Sequence, residues 1–323
     1  MYNQAEAILS QYELEIHEIK KGRGTYICET SQGTKLITAF RGANEKGLLL
    51  KLLLEQLYIN GFPVEQIMLN KNQEAVTKDE ISGEQFLVKD HISGKELDTG
   101  NTEELRKAVE TLGCFHQIMQ KVTLEIPDKL KDGAKQAVEI RVRHQKELIK
   151  AKNYIRGRKK KSEFEQNFLA SFVPMMATVE KSICILEEHP VAENGWCHGD
   201  VNQHNFLWTG NRFMLVNFEN FTYGCRMNDV ANFFRKVMEK NDWNLGLGKI
   251  LLDAYQSYVP LEEDERMQLY GLLLYPEKYW KITNHYMSSR KSWISDREVE
   301  KLKKVMAQEE LRLNFMENLF SFQ

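Results

Sequence analysis

The chain has 323 residues, of which 42% are hydrophobic and 28% charged, a composition typical of a globular protein with a substantial core. Its net charge of -2 gives no electrostatic support for a nucleic-acid-binding protein. The five cysteines are widely spaced and include no CxxC pair, so neither a zinc site nor a disulfide framework is predicted. No signal peptide is recognisable, and no stretch approaches the ~18 apolar residues of a membrane span. We therefore expect synthesis in the cytoplasm and no membrane partner.

The first hundred residues read mainly as β-strands. Alternating and β-branched stretches predict strands over 12–19, 25–29, 35–40, 66–70, 74–78 and 85–91. Between the third and fourth of them, leucines at helical spacing predict a helix over 44–60, which Gly61 and Pro63 end. This order of elements indicates an antiparallel sheet with one helix packed on it.

Helical patterns dominate the rest of the chain. A capped helix is predicted to begin at Thr102, and two long helices are predicted between about 135 and 188. We interpret the basic run 156–161 between these two helices as a solvated turn. The sequence thus predicts an α+β protein with a small β-rich lobe at 1–92, a hinge near 89–95 and a large α-helical lobe at 96–323.

The segment 196–207 carries the chemically informative motif. Phosphoryl transfer to a hydroxyl needs a carboxylate that accepts the hydroxyl proton and metal ligands that neutralise the phosphate charge. Asp200 is the candidate base, and Asn205, five residues later, is a candidate metal ligand. Together with His198 and Gly199 they match the spacing of the kinase catalytic loop. We assign His198 to this catalytic motif and expect it to order the loop by hydrogen bonding.

This loop, followed by Val216-Asn-Phe-Glu219, resembles the aminoglycoside/choline phosphotransferase superfamily. Within it, the segments 162–169, 276–286 and 290–293 resemble the CotS family of spore coat proteins. The resemblance implies a bilobal, protein-kinase-like fold, with ATP and Mg²⁺ as cofactors. It also implies other spore coat proteins as partners and deposition in the coat after synthesis in the mother cell.

The resemblance further assigns residues to a nucleotide and metal site. Asn205, Asn217 and Glu219 would be the metal ligands, and Asp229 would anchor the catalytic loop. Further residues take nucleotide-binding positions: Gly22 and Gly24 in a loop over the phosphates, Thr38 on the third strand, Glu55 in the helix, and Lys89, Asp90, His91 and Ile92 in the adenine-binding connector. For Gly22 and Gly24 a simple hairpin turn is the alternative.

Two of these positions depart from the kinase pattern. Asn217 stands where the main magnesium ligand is an aspartate, and an amide brings no negative charge to a hard dication. Thr38 stands where a lysine would bind phosphates, and Lys35 and Arg41, three residues to either side, face the other way along a strand. Three hypotheses follow: a structural or assembly protein of the coat with weak or lost transferase activity, an active phosphotransferase, or a nucleotide-binding pseudokinase. Whether ATP or Mg²⁺ is bound is therefore an open question at this point.

Overall fold

The computed structural model describes residues 4–22, 24–132, 134–190, 195–289 and 296–320. Its first five strands form one antiparallel sheet in the order β1-β2-β3-β5-β4. They are β1 (Ile16–Lys21), β2 (Thr25–Thr30), β3 (Gly33–Ala39), β4 (Val76–Lys78) and β5 (Gln85–Asp90). Because side chains alternate between the faces of a strand, each face carries its own apolar set.

Each face of this sheet is covered by a helix. Helix α2 (Asn44–Ile59) lies on one face, where its buried leucines pack with Leu87 of β5. Helix α1 (Gln4–Leu9) covers the other face, where Ile8 and Leu9 pack with Ile37 and Val88. The small lobe is thus an antiparallel sheet between two short layers of helix.

Two sequence predictions in this region were wrong. The stretch 12–19 was predicted as a strand, but β1 starts only at Ile16 and is preceded by α1. Helix α1 has only six residues, too few for a clear helical period, and packing of Ala5, Ile8 and Leu9 on the sheet stabilises it. The strand predicted over 66–70 is reduced to a single bridge between Ile67 and Lys89.

The larger part of the chain is mainly helical. Its longer helices are α3 (Thr102–Met119), α4 (Ala134–Arg156), α5 (Glu163–Glu188), α6 (Met227–Met238), α7 (Leu245–Gln256), α8 (Glu263–Leu274), α9 (Glu277–Ser288) and α10 (Asp296–Leu319). Asn101 caps α3 by accepting from two backbone amides, and a capping box between Ser162 and Glu165 starts α5. Helix α5 is long and apolar enough to cross a membrane, but 56% of that window is buried, as in a core helix.

Two small sheets accompany these helices and carry the candidate site. The strands β6 (Lys95–Glu96), β9 (Phe206–Trp208) and β10 (Phe213–Leu215) form one of them. The other contains β7 (Lys131–Asp132), β8 (Gly195–Cys197) and β11 (Thr222–Gly224). The chain leaves the first sheet at Asp90 and enters the second at Lys95, within the segment predicted as the hinge. The aromatic side chains of Tyr275, Tyr279 and Tyr286 are buried in a second apolar core against α5.

Candidate active site

The segment between β8 and β9 adopts a loop that Asp229 anchors from the first turn of α6. The Asp229 carboxylate accepts hydrogen bonds from the backbone amides of His198, at 2.6 Å, and Gly199, at 2.9 Å. His116 of α3 lies 3.3 Å from the same carboxylate. Burial alone would raise the pKa of Asp229, but these hydrogen bonds and the neighbouring imidazoles outweigh it and lower the pKa. The aspartate therefore stays ionised and holds the loop through these two backbone amides.

Only glycine fits at the second position of the motif. Gly199 has φ +80°, and a Cβ placed there would lie 2.0 Å from the carbonyl oxygen of Asn220. Any larger residue would collide with backbone rather than with a movable side chain. The close approach of these two segments brings the catalytic loop against the segment that follows Asn217.

His198 is wholly buried, and both of its ring nitrogens are used within the protein. Nε2 donates to the Val216 carbonyl at 2.9 Å, and Nδ1 accepts from the Asp200 backbone amide at 3.2 Å. Burial lowers its pKa, so the ring is neutral. His198 thus positions the loop, and its buried ring does not reach the cleft as a proton acceptor would have to.

A lysine from the small sheet lies at the centre of the predicted metal site. The ammonium nitrogen of Lys89 is 2.9 Å from Glu65 Oε1, 3.0 Å from Asn217 Oδ1 and 2.5 Å from Glu219 Oε1. The backbone amide of Asn217 also donates to Glu65 Oε1, at 2.8 Å. We call these four residues, Glu65, Lys89, Asn217 and Glu219, the Lys89 cluster.

The Lys89 cluster is centred on a buried ion pair. The Lys89 side chain is 1% exposed and that of Glu65 3%. Burial alone would lower the pKa of Lys89, but the two carboxylates outweigh it and raise the pKa, so the amine stays charged. Burial, together with the nearby Glu219 charge, raises the pKa of Glu65. One buried cation therefore balances part of the charge of two carboxylates, of which Glu65 is the more deeply buried.

One oxygen of each predicted metal ligand is already engaged by a protein donor. Asn217 Oδ1 and Glu219 Oε1 accept from Lys89, and Asn205 Oδ1 accepts from Asn217 Nδ2 at 2.8 Å. Mg²⁺ prefers carboxylate oxygens in near-octahedral geometry, and two of these three side chains are neutral amides. Within the described residues, no cluster of His, Cys, Asp and Glu is suited to a metal ion. The donor set therefore does not fit Mg²⁺ while Lys89 remains in place.

Asp200, the candidate base, also lies beside a lysine. Lys236 of α6 places its ammonium nitrogen 3.4 Å from Asp200 Oδ1 and 3.3 Å from the Val201 carbonyl. Burial lowers the pKa of Lys236. The Asp200 side chain is 44% exposed, so its carboxylate remains accessible from the solvent.

The sequence analysis expected a lysine at position 38 of β3 and found a threonine there; the structure shows a buried lysine, Lys89, on the neighbouring strand β5. Thr38 lies on β3 opposite Leu87, and Lys89 lies opposite Leu36, so both positions share one face of the sheet. Lys35 on the other face forms an ion pair with Asp90, at 2.8 Å. Glu55, assigned as the partner of a small-lobe lysine, instead pairs with Lys51 one turn earlier in α2, because residues four apart on a helix are neighbours.

The remaining nucleotide-binding assignments fall on backbone that has partners of its own. Gly22 donates to the Thr25 carbonyl and Gly24 has φ +74°, the geometry of the alternative hairpin turn between β1 and β2. Residue 23 lies outside the described residues, as does the segment 290–293. In the connector, Asp90 N–H donates to Gln66 O and His91 N–H to Thr34 O. The sequence analysis assigned four connector residues to adenine binding through their backbone groups. For one of them, Lys89, it is the side chain that makes the contacts described above.

A cavity of about 350 Å³ lies beside the anchored loop, between α4 and the start of α6. Its lining mixes Arg141, Arg235 and Glu277 with asparagine side chains. His144 lines the cavity too, and burial lowers its pKa to about 4, so it is neutral. The cavity is thus mixed in charge, unlike the acidic cluster that a polycationic acceptor would favour.

Sequence reasoning missed Glu65, the Lys89 side chain, His116 and Lys236. One signal was available: Lys89 follows three apolar residues of β5 and shares a face with Leu87, where a lysine needs a buried partner. Glu65, between the apolar residues Val64 and Ile67, is a matching anomaly. The catalytic and ligand-binding roles assigned from the sequence stay predictions, whereas the structure fixes the position of each side chain.

Comparison with known proteins gives one family match. The family described as Spore coat putative kinase YutH matches residues 5–319, nearly the whole chain. No curated protein matches significantly.

The fold has many relatives among solved structures. An aminoglycoside phosphotransferase from Alicyclobacillus acidocaldarius superposes with a TM-score of 0.83 at 18% identity, covering 98% of this chain and 95% of the other. Amicoumacin kinase, solved in complex with AMP-PNP, Ca²⁺ and Ami, gives a TM-score of 0.65 at 12% identity, covering 96% of this chain and 92% of the other. Spectinomycin phosphotransferase, solved with ADP and spectinomycin, gives 0.65 at 12%, covering 96% of each chain. At these identities the likeness confirms the predicted kinase-like fold and nothing finer.

Proposed function

This chain belongs to the family described as Spore coat putative kinase YutH, and we propose that it serves as a structural or assembly component of the spore coat whose metal-dependent phosphotransferase activity is weak or lost. Other coat proteins are its partners in this proposal. The single observation that supports the loss of activity is the Lys89 ammonium group, which is bound to two of the predicted metal ligands.

Charge explains why this arrangement disfavours Mg-ATP. In kinases the metal ions bridge the β- and γ-phosphates and neutralise the charge that develops on transfer. A metal entering the Lys89 cluster would have to displace a buried ammonium group from two carboxylates and would then lie close to it. Bringing a second cation so near to the first is costly in a site of low dielectric. Asn217 worsens the competition, because it offers the metal a dipole in place of a charge.

The decisive experiment measures ATP binding by calorimetry with and without Mg²⁺. We expect no magnesium-dependent binding to the wild-type protein. The Lys89→Met/Asn217→Asp double variant removes the ammonium group and restores the carboxylate, so it should gain such binding. Lys35→Met/Asn217→Asp is the matched control, because Lys35 lies on the opposite face of the same sheet.

The same measurement has outcomes that contradict the proposal. Magnesium-dependent ATP binding by the wild-type protein, with turnover that Asp200→Ala abolishes, would refute a lost activity. Metal-independent ATP binding without turnover would identify a nucleotide-binding pseudokinase. A ligand at 100 times its dissociation constant stabilises a protein by about 2.7 kcal/mol, so thermal shifts should agree with the calorimetry.

One observation favours an active phosphotransferase as the second candidate. The Asp200 carboxylate is 44% exposed on a loop that Asp229 holds in place, so a base is available to an acceptor hydroxyl. This function requires Lys89 to move aside when nucleotide binds. An assay of phosphate transfer to small hydroxylated amines and to coat extracts, with Asp200→Ala as control, distinguishes it from the first candidate.

A further inference from the structure

Basic residues are concentrated in one segment of the chain. Residues 141–161 contain ten of the 44 lysines and arginines but only one of the 46 acidic residues. The rest of the chain, with 34 basic and 45 acidic residues, carries a net charge of -11. So uneven a distribution produces a local field that the small overall charge conceals.

The structure places many of these basic side chains on one exposed surface. They follow the outer face of α4 and continue into the turn before α5. The basic surface consists of Arg143, Lys146, Lys150, Arg156, Lys159 and Lys160. None of the six forms an ion pair with another residue that the structure describes. Exposed Ile149 and Tyr154 lie among them on the same helix and add apolar contact area.

The same molecule carries a surface of opposite charge at the far end of α5. Helix α5 has 26 residues and therefore runs about 39 Å from the basic turn to its C-terminus. Beside that end, a contact of 2.9 Å between His189 and Asp264 holds the start of α8. The acidic surface consists of Glu187, Glu188, Glu262, Glu263 and Asp264, all exposed.

We propose that the basic surface docks the acidic surface of a second copy of this chain, so that the protein associates head to tail. The two surfaces are complementary in charge and lie at opposite ends of one helix. A contact between different surfaces of identical copies does not close on itself as a two-fold dimer does, and it continues into a chain or ring. The second copy would be the first binding partner in the assembly role proposed above. The inference rests on that proposed role, but the association itself requires no nucleotide.

The association is electrostatic and depends on salt. At an ionic strength of about 0.01 M the Debye length is about 30 Å, so the two surfaces attract over a long range. At about 1 M salt it falls to about 3 Å, and contacts between exposed charges are screened. We expect the weight-average mass to exceed the 37.8 kDa of one chain at low salt and to return to that value at high salt.

Two charge-reversal variants test the geometry by analytical ultracentrifugation of the full chain. Lys159→Glu/Lys160→Glu, the acidic variant, lowers the charge of the basic surface from +6 to +2, and Glu187→Lys/Glu263→Lys, the basic variant, reduces that of the acidic surface from -5 to -1. None of these four side chains has a hydrogen bond or ion pair with a described residue. Each variant alone should lose self-association by about tenfold or more, and an equimolar mixture of the two should associate again. Lys240→Glu/Lys249→Glu, at exposed positions elsewhere, is the control with the same change in net charge as the acidic variant, and it should associate like the wild-type protein.

Several results would overturn the proposal. The proposal is wrong if the wild-type protein stays monomeric at low salt. It is also wrong if a mixture of the two variants associates no more than either variant alone. Equal loss of association in the control would show that net charge, and not the two surfaces, matters. If the wild-type protein stays monomeric and its basic surface binds polyglutamate instead, the surface serves a foreign acidic partner. None of these measurements involves ATP. The head-to-tail association can therefore be disproved while the proposed loss of metal-dependent activity still stands.

Discussion

Replacing Lys89 by methionine should destabilise the protein far more than an ordinary lysine substitution does. The change keeps the aliphatic stem and removes the ammonium group, which leaves Glu65 buried without its cation. Removing one partner of a buried ion pair costs about 3–5 kcal/mol, because the remaining charge is uncompensated. At about 2 °C per kcal/mol for a chain of this size, the melting temperature should fall by about 6–10 °C.

The structure provides matched controls for this measurement. Lys35→Met breaks an ion pair with Asp90, whose side chain is 37% exposed, and such a surface pair contributes about 1 kcal/mol or less. Glu65→Gln in the Lys89→Met background removes the second charge as well and should recover part of the loss. Urea unfolding of the wild-type protein, both single variants of the pair and the double variant gives the coupling energy directly.

Proton linkage gives a second readout on the same variant. Burial raises the pKa of Glu65, and the loss of Lys89 should raise it further. Because a raised acid pKa makes the folded state bind more protons, the variant should regain stability relative to the wild-type protein as the pH falls from 8 towards 5. Our account of the cluster is wrong if Lys89→Met costs no more than Lys35→Met, or if the effects of Lys89→Met and Glu65→Gln are simply additive.

Three further predictions concern the anchored loop. Gly199→Ala should disrupt the loop and lower the melting temperature strongly, because the new Cβ would lie 2.0 Å from a backbone oxygen. Gly210→Ala is the control: Gly210 has φ +99° and open space around it, so the substitution should cost only the backbone strain of about 1–3 kcal/mol. Asp229→Asn should cost about 1.5–3 kcal/mol in urea unfolding, because two backbone amides lose a charged acceptor; a cost below that of a surface Asp253→Asn control would contradict the anchoring role. Stability should also fall as the pH drops below 6.5. Burial lowers the pKa of His116, His144 and His198, so the unfolded chain binds up to three more protons, at up to about 4.1 kcal/mol per pH unit; His116→Gln should reduce this slope.

The features that the sequence predicted well are local ones. The loop motif places Asp200 and Asn205 by a spacing of five residues, and α2, α4 and α5 follow from leucines and apolar residues at helical intervals. The family resemblance was readable for the same reason, because its motifs are short and contiguous.

The features that it missed depend on contacts across the chain. Lys89 meets Glu219 over 130 residues of sequence, and Glu65 reaches the backbone of Asn217 over 152. A missing lysine on β3 looked like a missing function, because nothing local shows that the paired strand β5 directs a lysine to the same face. Helix α1 was missed for a related reason, since its six residues are stabilised by the sheet beneath them more than by their own propensity.

A cation that belongs to the polypeptide behaves differently from one taken up from solution. Lys89 on β5 and Glu65, in the segment between α2 and β4, belong to the small lobe, and Asn217 and Glu219 belong to the larger part, so the buried cluster joins the two parts of the fold. A bound metal ion would be lost to chelators or in medium poor in divalent ions, and the join would loosen with it. A lysine side chain, in contrast, is part of every copy of the chain, whatever the concentration of divalent ions in the medium. The contact between the two parts of this protein should therefore be insensitive to chelation.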